Sequence, residues 1–419
     1  MREMKDSGVP WIGEIPKDWS IRQASQIFAA TKHPNNGLQE NNLLSLSYGR
    51  IVRKSIETSF GLLPESFEGY NIIDKDTIVL RLTDLQNDQK SLRVGIATEK
   101  GIITSAYLSL RCITNDTPKY LYYLLHCFDI VKGFYGMGGG IRQGLTWDGV
   151  KNLRFYLPNQ AEQQRIADFL DAKCAEIDTI LEQTRESIDE YKKLKQSVIT
   201  EAVTKGIRIN RLVKKSGLEW CAEPPIEWSL IRIGLFLRDK SDYSSTGEET
   251  PLSVTQDRGI IYSSEANVAN PSQSTIGWKR VSVNDLVFNK YKAHSGVFFV
   301  SPFDGIVTFN YNVYECRNMS IPRYLEYLFK SPGCISEFRK KMKGVGDSIS
   351  PLYTRDLFSI VVPLPPVQEQ QEIAAYLDEK CAAIDSLIAS KESLITELEA
   401  YKKSIIYEYV TGKKEVPAV

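Results

Sequence analysis

The chain has 419 residues, 42% hydrophobic and 25% charged, and its 52 basic side chains balance 52 acidic ones. That composition describes a globular protein with room for two or three cores, and no run of about 18 apolar residues is present to cross a membrane. The opening MREMKDSGVP lacks the apolar core of a secretory signal. The seven cysteines (Cys112, Cys127, Cys174, Cys221, Cys316, Cys334, Cys381) are scattered without a C-x-x-C pair, so we expect reduced thiols in a cytoplasm and neither a disulfide framework nor zinc.

Taken in chain order, the first module covers residues 1–156. It opens with SGVPWIGEIPKDW at 7–19 and continues through β-like runs at 77–82 (TIVLRL), 94–98 (VGIAT) and 102–110 (IITSAYLSL). Each run is bounded by turn-forming residues, and an amphipathic helix is predicted at 118–128. A glycine-rich stretch, GMGGGIRQG at 136–144, follows. Leu157–Pro158 then starts a long heptad pattern that stops at Gly206, so a helix is predicted within 157–206. A second module at 207–363 opens with SGLEWCAEPPIEW (216–228). It has strand-like runs at 285–291 and 296–300, a predicted helix at 322–330 and a basic stretch, FRKKMKGVGDSIS, at 338–350. Leu364–Pro365 begins a second heptad helix, within 364–419, that stops at Gly412.

The order of these features repeats. EQQRIADFLDAKCAEID (162–178) lies over EQQEIAAYLDEKCAAID (369–385) without a gap at an offset of 207. GIITSAY (101–107) lies over GIVTFNY (305–311), and PKYLYYL (118–124) over PRYLEYL (322–328). The chain is a tandem duplication. Each seam alternates steps of three and four, with polar residues at the same two places: Thr184 and Lys195 in one copy, Lys391 and Lys402 in the other. Each helix would be about 65 Å long. Antiparallel pairing of the two buries both seams without crowding the modules. Parallel pairing is compatible with the length of the connection, and pairing between chains is a third use of the same seams.

Net neutrality hides a segregation. Residues 1–160 hold 19 basic and 16 acidic side chains and 207–366 hold 20 and 16, while 161–206 hold 7 and 10 and 367–419 hold 6 and 10. Mildly basic modules sit on acidic helices. Catalytic motifs are missing. Phe134–Gly138 has the outline of an F-x-G-x-G cofactor loop, but Arg, Gln and more Gly follow it and the second copy has no counterpart. Glu223–Ile226 lacks the Asp/Asn and the aromatic of a D-P-P-Y motif. No phosphate-binding glycine loop is present, and His33, His126 and His294 match no metal or triad spacing.

The duplicated Leu-Pro…Glu-Gln-Gln…Ile-Ala…Leu-Asp…Ile-Asp helices at 157–178 and 364–385 resemble the specificity subunit of type I restriction–modification enzymes. So do the Trp-Ile-Gly-Glu-Ile-Pro-x-x-Trp opening at 11–19 and the Asn289–Lys290, Gly296, Ser301–Pro302, Asp304–Val307 series. The resemblance covers essentially the whole chain. It implies an α+β fold: two pseudo-twofold-related α/β target-recognition domains separated by an antiparallel coiled coil of two long helices. It implies a non-catalytic, cytoplasmic subunit that binds a split, asymmetric target in double-stranded DNA. Two methyltransferase subunits and the restriction motor subunits would dock on it, and S-adenosylmethionine, ATP and Mg2+ would belong to those partners, with no cofactor on this chain.

For base readout and phosphate contact we expect cationic and amide side chains in the diverged loops. In the first module these are Arg142 and Gln143 in the glycine-rich stretch, Arg81, Asn87, Lys90 and Arg93 in the central loop, and Tyr48, Arg50 and Arg53. In the second they are Gln256, Arg258, Asn289, Lys290, Lys292 and His294, with Arg339, Lys340, Lys341 and Lys343 before Gly344. Trp11, Trp19, Trp220 and Trp228 are expected as core anchors.

Overall fold

The computed structural model describes residues 2–55, 66–85, 88, 91–137, 144–266, 274–342 and 351–417. It is a mixed α/β protein whose longest elements are two helices, Gln160–Lys205 and Val367–Val410, of 46 and 44 residues. The first starts on Asn159, whose side chain accepts the Glu162 N–H at 3.0 Å and so satisfies one of the free donors of the first turn. Both stop at glycines in the left-handed region, Gly206 (φ +80°) and Gly412 (φ +71°). A Cβ there would lie 2.9 Å from the Glu369 carboxylate in one case and 2.4 Å from Pro16 in the other, so close packing excludes a side chain as firmly as the backbone does.

The chain forms two compact units, one of residues 1–184 with 393–419 and the other of 185–392. In the first, four antiparallel strands run in the order Phe28–Thr31, Leu108–Cys112, Ile78–Leu80, Val94–Ile96. Helix Pro118–Ile130 backs them, burying Tyr120, Leu121, Leu124 and Phe128. A hairpin, Leu44–Ser47 with Arg50–Arg53, and the pair Asn71–Ile73 with Gly101–Ile103 complete the module. The single run expected at 102–110 is broken: the Tyr107 N–H returns to the Thr104 carbonyl at 3.2 Å. That turn sends Gly101–Ile103 and Leu108–Cys112 into different sheets. Apolar residues on both sides of the turn disguise it in the sequence.

The second unit repeats the strand order with Leu237–Asp239, Tyr311–Cys316, Leu286–Asn289 and Phe298–Val300, backed by helix Pro322–Lys330. An additional helix, Pro332–Lys341, follows at once, capped by the Ser331 side chain. Each unit has its own apolar core. One is centred on Trp19, Phe28, Tyr120, Phe155 and Leu170, the other on Trp228, Phe236, Phe288, Tyr324 and Leu377. Burial of side chains of this size stabilises by about 1.5–3 kcal/mol apiece before the entropic cost. Trp19 and Trp228 are core residues, as expected, and Trp11 and Trp220 pack against the same cores.

The repeated motif explains itself as a set of module-to-helix ties. In the first unit Arg2 grips Glu162 (2.9 Å), the Gln163 amide oxygen accepts the Thr117 N–H at the start of the backing helix (3.0 Å), and Asp171 accepts from Tyr123 (2.9 Å). In the second, Arg211 grips Glu369 (3.1 Å), Gln370 accepts from Ile321 N–H (2.9 Å), and Asp378 accepts from Tyr327 (2.7 Å). The two long helices also meet in antiparallel sense inside each unit. Phe169 packs on Tyr409 (ring centres 4.5 Å apart) while Lys402 bonds Asp178 (2.7 Å) in the first. In the second, Lys195 bonds Asp385 (2.7 Å) and the Lys391 ammonium lies 5.7 Å from the Tyr191 ring centre. The polar interruptions of the seam therefore have partners. Lys195 and Lys402 are matched to Asp385 and Asp178, the repeat-equivalents of each other's partners.

Candidate nucleic-acid interface

In the first unit three segments converge beyond the end of the sheet: the hairpin turn at Tyr48–Gly49, the loop 81–93 (of which 86, 87, 89 and 90 lie outside the described residues) and the turn 131–137. A Cβ on Gly49 would stand 3.0 Å from Leu92, and one on Gly95 would collide with Leu46 and Ile51, so the hairpin lies directly on strand Val94–Ile96. Tyr48, Asp84 and Lys132 all have positive φ (46°, 57° and 62°). Non-glycine residues held in that region mark backbone over-determined by its surroundings, and they concentrate at functional loops.

What holds the loop is Arg93. It is fully buried. Its Nη1 donates to the carbonyls of Arg81 (3.1 Å) and Thr83 (2.7 Å), its Nη2 to those of Asp84 (3.2 Å) and Asp88, and its Nε to the Tyr135 hydroxyl (3.0 Å). The Tyr135 ring faces the guanidinium at 5.0 Å. Arg93 was expected to contact DNA. The structure corrects this, because Arg93 is buried, both its Nη atoms tie loop carbonyls together and its Nε is taken up by the Tyr135 hydroxyl. Its own N–H donates to the Asp129 carboxylate (2.6 Å), which burial pushes up to about 6. Beside it on the same helix, burial holds the His126 imidazole down at about 4.

The remaining candidates of this unit are on the surface. Tyr48 is 82% exposed at the hairpin tip. Arg50 pairs with Asp178 on the long helix, Arg53 with Glu99, and Arg81 with Asp88 at 3.3 Å. Arg142, Gln143, Asn87 and Lys90 lie outside the described residues. Phe134, at the start of the supposed cofactor loop, is a core residue packed edge-on against Phe128.

In the second unit the candidates gather around the loop 289–296. Asn289 braces it by accepting the Tyr291 N–H (3.0 Å), and Gly296 closes it at φ +71°. Arg339 donates to the His294 carbonyl (3.3 Å), joining the helix Pro332–Lys341 to this loop, and the Leu352 N–H donates to the Lys290 carbonyl (2.8 Å). Lys292 and Lys341 are exposed, with no partner among the described residues. Lys340 is held by Glu337 (2.8 Å) and Glu219 (3.3 Å). Gln256 and Arg258 form the exposed turn of the hairpin Leu252–Thr255 with Gly259–Tyr262, where Arg258 reaches Glu265 at 3.4 Å. Lys343 lies outside the described residues.

Each unit therefore presents loops bearing cations and amides on a rigid sheet, and the two loop sets share no side-chain pattern. Such surfaces can hold phosphates by charge and read base edges by paired hydrogen bonds. Among the described residues no group of three or more His, Cys, Asp or Glu side chains could hold a metal, all seven cysteines are free thiols, and no helix is long and apolar enough to cross a membrane. Tyr135 and Asp129, which support Arg93, were not foreseen; nothing in their local sequence separates them from ordinary helix and turn residues.

Comparison with known proteins agrees with this arrangement. Residues 16–190 and 251–400 match the family model for the type I restriction modification DNA specificity domain. The MjaX specificity subunit of a type I restriction enzyme from Methanocaldococcus jannaschii is 26% identical, over 97% of this chain and 96% of that protein. The MjaVIII specificity subunit from the same organism is 23% identical, over 96% and 94%. Among solved structures, a chain from a study of complex assembly and conformational transition of the type I R-M system superposes with a TM-score of 0.69 at 15% identity, covering 96% of this chain and 99% of that one. The HsdS subunit from Thermoanaerobacter tengcongensis gives 0.52 at 16%, covering 96% and 98%.

Proposed function

This chain belongs to the type I restriction modification DNA specificity domain family, and from that premise we propose that it reads a bipartite, asymmetric sequence in double-stranded DNA, one half-site per module. It is a type I restriction–modification specificity subunit without catalysis of its own. The modules are residues 1–156 and 207–363, and the helices within 157–206 and 364–419 form the antiparallel coiled-coil spacer between pseudo-twofold-related readers. Two methyltransferase subunits dock on this scaffold, the motor-nuclease subunits complete the enzyme, and S-adenosylmethionine, ATP and Mg2+ are bound by those partners. Its place is the cytoplasm, with the DNA.

One observation carries the reading. The same helix-to-module ties recur in both units, from Arg2–Glu162 and Arg211–Glu369 through Asp171–Tyr123 and Asp378–Tyr327, whereas the loops they support differ completely. Equal supports under unequal loops suit a device that sets a constant spacing between two different half-sites. Direct contacts are assigned to Tyr48, Arg50, Arg53, Arg81, Lys90, Arg142 and Gln143 in the first module. In the second they fall to Gln256, Arg258, Asn289, Lys290, Lys292, His294, Arg339, Lys340, Lys341 and Lys343.

The test is selection from a randomised duplex library by the chain assembled with its methyltransferase. The expected result is a split motif with a fixed unspecified gap. Enrichment of a continuous motif, or of none, would refute the proposal, and so would methyl transfer from labelled S-adenosylmethionine to DNA by the pure chain.

A further inference from the structure

The backing helix of the second unit, Pro322–Lys330, carries a buried charge that no candidate contact uses. Glu326 is 7% exposed. A carboxylate this deep is costly unless it is paired and hydrogen-bonded. Glu326 is both. Its Oε2 accepts the Val300 N–H at 3.0 Å and faces Arg323 Nη1 at 3.2 Å, and its Oε1 accepts from Lys330 Nζ at 2.6 Å. Arg323 in turn donates to Asp378 on the long helix (2.8 Å).

What Glu326 holds is the edge of the sheet. Strand Phe298–Val300 is the last of its four and pairs with Leu286–Asn289 on one side, so the carboxylate meets the Val300 N–H that the ladder leaves over. Two candidate reading elements depend on that strand. The loop 289–296 runs directly into it, and a Cβ on Gly296 would stand 3.8 Å from the Lys330 side chain. The hairpin Leu252–Thr255 with Gly259–Tyr262 rests on Phe299, which packs on the small core of Leu252 and Ile260 and would lie 3.2 Å from a Cβ on Gly259. The Lys330 ammonium lies 3.7 Å from the centre of the same Phe299 ring.

The first module meets the same demand with other residues. With Pro118 over Pro322, Tyr122 stands where Glu326 does, His126 where Lys330 does and Lys119 where Arg323 does. There the Tyr122 hydroxyl donates to the Gly49 carbonyl in the hairpin turn (3.4 Å), and its ring stacks on His126 with centres 5.5 Å apart. Lys119 pairs with Asp171 as Arg323 pairs with Asp378. The tie to the long helix is thus the same in both modules, and the grip on the reading elements differs as those elements differ.

We propose that Glu326 is a positioning residue for the second half-site: it clamps the edge strand to the backing helix and so sets where the loop 289–296 and the Gln256–Arg258 turn meet the bases, without touching DNA itself. This rests on the reading of the chain as a bipartite DNA reader. Paired hydrogen bonds to base edges tolerate little displacement, whereas phosphate contacts tolerate more. A loosened edge strand therefore lowers discrimination before it lowers overall affinity.

The experiment assembles the chain with its methyltransferase and measures discrimination at each half-site, by selection from a randomised duplex library and by titration of single-mismatch duplexes. The half-site of the second module is the one that changes when residues 207–363 are exchanged for those of a relative. Glu326→Leu should lower discrimination there about tenfold, with the first half-site, the gap and the affinity for random duplex unchanged. Glu326→Gln keeps an acceptor for the Val300 N–H and should restore most of the loss. Lys330→Met leaves Glu326 paired with Arg323 and should show the same one-sided loss in smaller measure, and it carries the test if Glu326→Leu does not fold. Lower thermal stability with both motifs intact would make Glu326 a structural residue only and overturn the inference, leaving the bipartite reading in place. Equal loss at both half-sites, or a fall in affinity for random duplex, would overturn it as well. A wild-type complex that selects no split motif would sink both readings.

Discussion

At the scale of single residues, the decisive distinction is between a cation on the surface and one whose donors are spent. Arg93 has the residue type of a DNA contact and the environment of a cross-brace. Arg93→Met would leave four loop carbonyls and the Tyr135 hydroxyl without their donor, a loss that relief from burying the guanidinium offsets only in part. We expect a loss of about 2–4 kcal/mol of stability, read by chemical denaturation. If the protein stays folded in the cold, selection should show a degraded motif in the first half-site and an unchanged second one. Loss confined to the second half-site would contradict the assignment of this loop to the first.

The pair Asp129 and His126 sets a pH signature of the same region. Asp129 is raised to about 6, so between its ordinary range near 4 and pH 6 the folded state holds more protons than the unfolded chain, and its contribution falls as pH rises. His126 is lowered to about 4, so between pH 4 and its ordinary value near 6.5 the unfolded chain holds more protons, and stability rises with pH. The two slopes oppose each other over pH 4–6. Asp129→Asn keeps an acceptor for the Arg93 N–H and removes only the acid's slope. Its stability should therefore climb from pH 4 to 6 by up to about 1.4 kcal/mol per pH unit relative to wild type. Parallel stability curves for the two proteins would count against a buried, protonatable Asp129.

At the scale of elements, the long helices combine a seam whose polar positions are matched with ties to each module. Among the described residues Asp178 serves two cations, Lys402 from the other helix and Arg50 from the hairpin, whereas Asp385 serves only Lys195. Asp178→Ala should therefore destabilise more than Asp385→Ala, by about 0.5–1 kcal/mol given the partial exposure of these pairs. Equal losses, measured by thermal unfolding, would show that the Arg50 contact contributes nothing. The spacer role makes a separate demand. Inserting four residues, about one turn, into both helices should lengthen the unspecified gap and leave both half-site sequences unchanged. Altered half-sites would make the helices readers themselves.

At the scale of the whole molecule, much was legible from residue order alone. The duplication and the start and stop of each long helix follow from periodicity and self-similarity, because a helix seam and its caps are local patterns that leave their spacing in the chain. The resemblance carried by the Glu-Gln-Gln and Leu-Asp motifs agrees with the family match. The roles of those motifs as ties to Thr117 and Ile321, and to Tyr123 and Tyr327, did not show in the sequence, since each partner lies about 50 residues away. The same limit governs the candidate interface. Sequence determined which loops diverge and which carry cations. Tertiary structure alone decided that Arg93 is enclosed while Tyr48 stands exposed. Burial and hydrogen-bond satisfaction are properties of what surrounds a side chain, and a loop's surroundings are supplied by segments far away in the chain.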